Sequence, residues 1–172
     1  MLKDDVMTES PAVLTESPAI AQDYETERNK PMPNRIHGTI QTRIVVLLDK
    51  YSDRYQFSSE VTLDTTPPAT PDILIFQKKQ LDWKTVEARE KEMPITTIEI
   101  QSPSQHFEDL AEKVRDTYFT AGVQSAWIVV PPLKTVSIFL PDGRQLVFSQ
   151  GTLTDPVTGI QLSVEKIFDC LV

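Results

Sequence analysis

The sequence predicts an α/β chain: an α+β mixed sheet with helices on its faces. Three observations carry this expectation. Apolar residues step at helical spacing over 36–51 and again over 107–121. Two near-continuous apolar runs, Asp72 to Phe76 and Ser125 to Val130, have the composition of strands covered on both sides. The order is helix, strands, helix, strands, short helix, and one sheet flanked by helices buries both kinds of apolar face most simply.

Each element has its own justification. Ile40, Ile44, Leu47, Leu48 and Tyr51 mark one face of a first helix, with Asn34 as the candidate cap and His37 at its start. Tyr55-Gln56-Phe57 and Val61-Thr62-Leu63 alternate as strands do, with Glu60 between them. Thr65 to Thr70 holds two prolines and reads as a loop. Asp72 to Phe76 is a central strand; Gln77 to Met93 is a short helix or an exposed excursion. Ile95 to Gln101 is a second central strand, with Ile98 and Ile100 on one face and Glu99 on the other. Phe107, Leu110, Val114, Tyr118 and Ala121 line the second helix, which Gly122 terminates. Ser125 to Val130 is a third buried strand, ended by Pro131-Pro132. A hairpin follows, Val136 to Leu140 and Gln145 to Phe148, turning at Asp142-Gly143. Thr152-Leu153 and Ile160 to Leu162 flank another turn, and Ser163 caps a last short helix, Val164 to Leu171.

Residues 1–33 are expected to form a disordered acidic tail. Thr8-Glu9-Ser10-Pro11-Ala12 recurs as Thr15-Glu16-Ser17-Pro18-Ala19, and two prolines seven residues apart cannot sustain a helical face. Few large apolar side chains are present there to offset the entropy of ordering. Residues 34–172 are expected to form the folded domain. At 172 residues, with 40% hydrophobic and 24% charged content, one soluble globular domain is the natural reading. No apolar run approaches a membrane span, and Met1 to Asp5 lacks the apolar core of a signal peptide, so a cytoplasmic, membrane-free protein is expected.

Composition also excludes chemistries. The net charge of −8 argues against a broad basic surface for nucleic acid, though not against a local groove. The lone Cys170 rules out an internal disulfide or a cysteine metal cluster and is expected to be a small packing residue. His37 and His106 are too few for a histidine zinc site unless carboxylates complete it. There is no Gly-x-Ser-x-Gly, and five glycines supply no glycine-rich phosphate loop.

What remains is a pair of carboxylates. Asp72 opens one β run directly behind Pro71, and Glu99 lies inside another between isoleucines. An unpaired charge is costly to bury, so two of them in strands that can lie side by side point to a bound cation. Ligands made only of oxygen favour a hard ion such as Mg²⁺. Each residue also has a plain structural alternative. Asp72 could be a strand-start acid held by backbone amides. Glu99 could be one half of a buried ion pair.

The ordered set of His37, Glu60, Pro71-Asp72, Glu99-x-x-Ser102-Pro103-Ser104, Asp109, Lys113, Gly122-Val123 and Trp127-Ile128-Val129 resembles the Uma-two group of endonucleases, abundant in cyanobacteria, over residues 31–172. The resemblance implies a restriction endonuclease-like core of the PD-(D/E)XK type and a metal-dependent endonuclease that hydrolyses phosphodiester bonds of DNA. It implies Asp72 and Glu99 as metal ligands for Mg²⁺ or Mn²⁺, with the carbonyl of Ile100 as a third ligand. Lys113 would assist catalysis and Glu60 would join as a further acid, with His37, Gln101 and Ser102 as accessory candidates. A divalent ion would lower the pKa of a bound water and act as a Lewis acid.

The chain departs from the pattern twice. The lysine expected two residues after the glutamate is Gln101, which can neither carry positive charge nor act as a base. The segment from Lys113 to Gly122 is one residue longer than the family pattern. Lys113 could instead pair with Asp109 on the helix surface, Glu60 could be a surface acid, and Ser102 and Ser104 could serve the turn or cap the next helix. Trp127 is expected in the core. The alternative function is therefore a nuclease-like fold that no longer cuts and serves as a binding or assembly module. A homodimer is the plausible assembly for an enzyme that cuts both strands.

Overall fold

The computed structural model describes residues 30–85 and 87–172. The predicted tail lies outside the described residues up to position 29, as does the Thr-Glu-Ser-Pro-Ala repeat. No helix among the described residues is long and apolar enough to cross a membrane.

Six strands form one mixed sheet in sequence order: β1 Tyr55–Ser59, β2 Ile73–Gln77, β3 Thr96–Ile100, β4 Ser125–Val130, β5 Thr135–Phe139 and β6 Gln145–Phe148. Every neighbouring pair is antiparallel except β3 and β4. That parallel pair needs a crossover. It is supplied by a helix that begins as α2 Phe107–Lys113 and continues as a π-helical stretch, Val114–Phe119. The first helix, α1 Arg35–Leu48, starts where Asn34 accepts a hydrogen bond from the His37 amide at 2.9 Å. A short hairpin, β7 Thr152–Thr154 and β8 Gln161–Ser163, leads into α3 Val164–Phe168, capped by Ser163.

The two faces of the sheet carry two separate cores. Ile73, Ile75, Ile98, Ile100, Trp127 and Val129 pack with Ile40, Ile44 and Leu48 of α1 and with α3. Arg43 of α1 donates to the Lys166 carbonyl at 3.0 Å and pairs with Asp169, tying the two helices on this face together. Leu74, Phe76, Ala126 and Ile128 pack on the other face with Leu110, Ala111, Val114 and Tyr118 of the crossover helix. Period-two alternation along β2, β3 and β4 thus serves both layers, which is why these strands read as nearly unbroken apolar runs.

Several local expectations are corrected. Val61 to Leu63 is no strand; Glu60 has a left-handed backbone (φ +60°) that ends β1, and only Leu63 makes isolated bridges, to Ala69 and Glu90. Of the two readings of 77–93, the described residues form the exposed excursion and no helix. Neither Ser102 nor Ser104 caps α2; its first flanking residue is His106, which makes no side-chain cap bond. The last helix ends at Phe168, short of Leu171, and Cys170 is exposed rather than packed.

Candidate active site

At one end of the central strands, residues from α1, the β1–β2 connection, β3 and the crossover helix meet. The register pairs Ile73 with Ile98, so Asp72, one residue earlier, falls opposite Glu99, one residue later. Both side chains are buried and line one narrow crevice together with Lys30, His37, Ile100 and Ser102.

The Asp72 half is densely bonded. Its Oδ2 accepts from the Ile100 amide at 2.6 Å, fixing the carboxylate across the end of β3. Its Oδ1 lies 2.5 Å from Lys30 Nζ and 3.0 Å from His37 Nε2. His37 is oriented through its other ring nitrogen, 3.3 Å from Ser102 Oγ. Glu60 stands beside them: Lys30 Nζ is 3.0 Å from its Oε2, and Gln41 donates both to its Oε1 at 3.2 Å and to the Asp72 carbonyl at 2.8 Å. Left-handed backbone at a non-glycine residue is uncommon, and such conformations concentrate at functional sites. Burial pushes the Asp72 carboxyl up, but the His37 hydrogen bond and the charge of Lys30 outweigh it. The group is held below the ordinary carboxylate range.

The Glu99 half is built by the crossover helix. Lys113 donates to Glu99 Oε1 at 2.8 Å, and the buried hydroxyl of Tyr118 donates to the same oxygen. Burial, the charge of Glu99 and this hydrogen bond push the Tyr118 phenol well above its usual value, so it remains a donor. Lys113 and Tyr118 are five residues apart, and in a regular α-helix that step turns about 140° off the starting face. The π-helical stretch Val114–Phe119 absorbs the mismatch. π-Bulges recur at functional sites, and this one faces the crevice acid.

Of the residues singled out in the sequence, His37, Glu60, Asp72, Glu99, Ile100, Ser102 and Lys113 come together at this end of the sheet. Gln101 does not join them. Its side chain donates to the Gln105 carbonyl at 2.8 Å and lines a neighbouring groove of about 580 Å³, which shares His37 and Ser102 with the crevice. Lys113 pairs with Glu99, not with Asp109. Lys30, Gln41 and Tyr118 are site residues that the sequence pattern does not single out. Gln41 lies one helical turn beyond His37, a spacing that carried the signal. Tyr118 was visible only as an apolar step, and nothing local marked Lys30.

Among the described residues, the group whose ligand atoms lie close enough for one metal ion is His37, Glu60 and Asp72, all within 4.8 Å of one another. Carboxylate oxygens with one imidazole nitrogen suit a divalent ion.

A family model described as "Uma2: Putative restriction endonuclease" matches residues 22–165. The chain belongs to this Uma2 family. Its fold is similar to a solved structure described as a "putative nuclease belonging to DUF820" from Anabaena variabilis. The two share 22% identity and superpose with a TM-score of 0.71 over 83% of this chain and 85% of that one. No curated protein matches the chain. The mixed sheet with its parallel β3–β4 pair is thus a restriction endonuclease-like core, and Uma2 membership supports a nuclease.

Proposed function

We propose that this Uma2 chain is a divalent-metal-dependent endonuclease that hydrolyses phosphodiester bonds of DNA. The observation that carries the reading is the convergence of Asp72 and Glu99, from adjacent strands, on one crevice. Asp72, Glu60 and His37 would hold the ion, with Glu99 and the Ile100 carbonyl, which line the same crevice, as further donors. A bound ion supplies an activated water and a Lewis acid on the phosphate. The protein supplies the rest. Ile100 and Ser102 fix Asp72 and His37, and Tyr118 and Lys113 fix Glu99. Lys113, half-buried at the rim, offers its ammonium to charge that develops on the phosphate, the role Gln101 cannot take. The adjoining groove, with Lys134 in its wall, gives a nucleic-acid strand a place to lie despite the acidic net charge. Two copies would let the enzyme cut both strands.

Plasmid nicking tests this. Purified protein with Mg²⁺ or Mn²⁺ converts supercoiled to open-circular DNA, and Asp72→Asn or Glu99→Gln lowers the rate about a hundredfold or more. No cleavage of double- or single-stranded DNA with either ion would favour the binding-module reading. That alternative draws on Gln101 being bonded to the Gln105 carbonyl rather than to the acids and on Lys113 being committed to Glu99.

A further inference from the structure

Lys30 is the residue the proposed chemistry does not use, although it sits in the middle of the site. Its side chain is 4% exposed, unusual for a lysine. An ammonium has three donors and no acceptor. Here it faces three oxygen groups: Asp72 Oδ1 at 2.5 Å, the Glu60 carboxylate at 3.0–3.2 Å and the Thr70 carbonyl at 3.3 Å. Two of these belong to the His37–Glu60–Asp72 group that could ligate a metal. Two carboxylates held this close repel each other unless a cation lies between them.

We propose that Lys30 is a tethered counter-ion for the metal site, and that a divalent ion enters by exchange with it. This rests on the reading of the crevice as an ion site. A dication on Asp72 and Glu60 and the Lys30 ammonium cannot share those oxygens, because the like charges would lie within one contact distance. Binding therefore has two parts: release of the ammonium, then ligation. The segment leading into α1 is thereby coupled to ion occupancy. Lys30 bridges the two carboxylates when no ion is bound, and it weakens the apparent affinity for the ion that displaces it.

Calorimetric titration of the full chain with Mn²⁺ tests the exchange, using wild type, Lys30→Met, Lys30→Arg and Asp72→Asn. Lys30→Met removes the charge and keeps much of the stem, so it binds Mn²⁺ at least about fivefold more tightly than wild type. Lys30→Arg keeps the charge and stays weak. Asp72→Asn loses binding. Thermal melting gives a second readout: Lys30→Met melts below wild type without ion, and Mn²⁺ raises its melting temperature more than that of wild type. A third measurement needs no substitution. Amine-reactive labelling read by mass spectrometry modifies Lys30 of the wild type faster when Mn²⁺ is present. Equal or weaker Mn²⁺ affinity in Lys30→Met, with binding still lost in Asp72→Asn, overturns the exchange and leaves the ion site standing. Labelling of Lys30 that Mn²⁺ leaves unchanged or slows also overturns it. Absence of Mn²⁺ binding in wild type and Lys30→Met alike overturns both.

Discussion

Both oxygens of Asp72 are engaged, one by the Ile100 amide and the other by Lys30 and His37. Burial works against its ionised form, and these partners more than reverse that effect, holding the carboxyl below its ordinary 3.8. The sign of the pH dependence follows. An acid with a lowered folded pKa binds fewer protons folded than unfolded, so its stabilisation is present above the unfolded value and is lost as pH falls through the folded one. Stability measured by urea titration therefore declines as pH drops below about 4, and Asp72→Asn flattens that decline. Equal slopes for the two proteins would show that Asp72 is not held this way. Asp155 shows that a buried carboxylate need not be a metal ligand. It is fully buried and accepts from Ser125 Oγ at 2.8 Å, Trp127 Nε1 at 3.0 Å and the Val157 amide at 2.8 Å. Neutral donors satisfy it, and it lies away from the crevice that Asp72 and Glu99 share.

The crossover helix decides whether Glu99 is usable. Helical periodicity of 3.6 residues per turn predicts its apolar face well through Val114, but it cannot foresee a π turn. Lys113 and Tyr118 reach one carboxylate only because Val114–Phe119 is underwound. This makes an unusual prediction about chain length. Deleting the exposed Asp116 brings Lys113 and Tyr118 to the i, i+4 spacing of an ordinary α-helix, so the deletion variant folds and keeps wild-type nicking within about threefold. Inserting one alanine after Asp116 turns Tyr118 away from Glu99 by about 100°. The insertion variant loses nicking activity and melts at lower temperature. Circular dichroism melts and nicking rates on the two proteins check this, and a damaging deletion beside a harmless insertion would contradict it. The Glu60 connection is the other element that escaped the periodic reading. Val61-Thr62-Leu63 alternates like a strand, but the left-handed backbone at Glu60 breaks the ladder and points the chain elsewhere.

Across the whole molecule, what could be read in the sequence was what local pattern encodes. The doubly covered strands announced themselves through Ile73-Leu74-Ile75-Phe76 and Trp127-Ile128-Val129, because both faces of the sheet are buried. The convergence of Asp72 and Glu99 was legible because one acid opens such a run and the other lies inside a second one. Lys30 was not legible: it is 42 residues from Asp72 in sequence and follows a stretch whose composition reads as a tail. Only the fold brings that ammonium to those oxygens. The same convergence assembles His37 from α1, Glu60 from beyond β1 and Lys113 from the crossover helix at one end of the sheet. The most direct test is the anomalous density of Mn²⁺ in a crystal of the full chain soaked with the ion. The account predicts one strong peak beside Asp72, Glu60 and His37, in the crevice that Glu99 also lines, with the Lys30 ammonium moved off Asp72. Density with no peak there, and Lys30 still seated on Asp72 at saturating Mn²⁺, would contradict it.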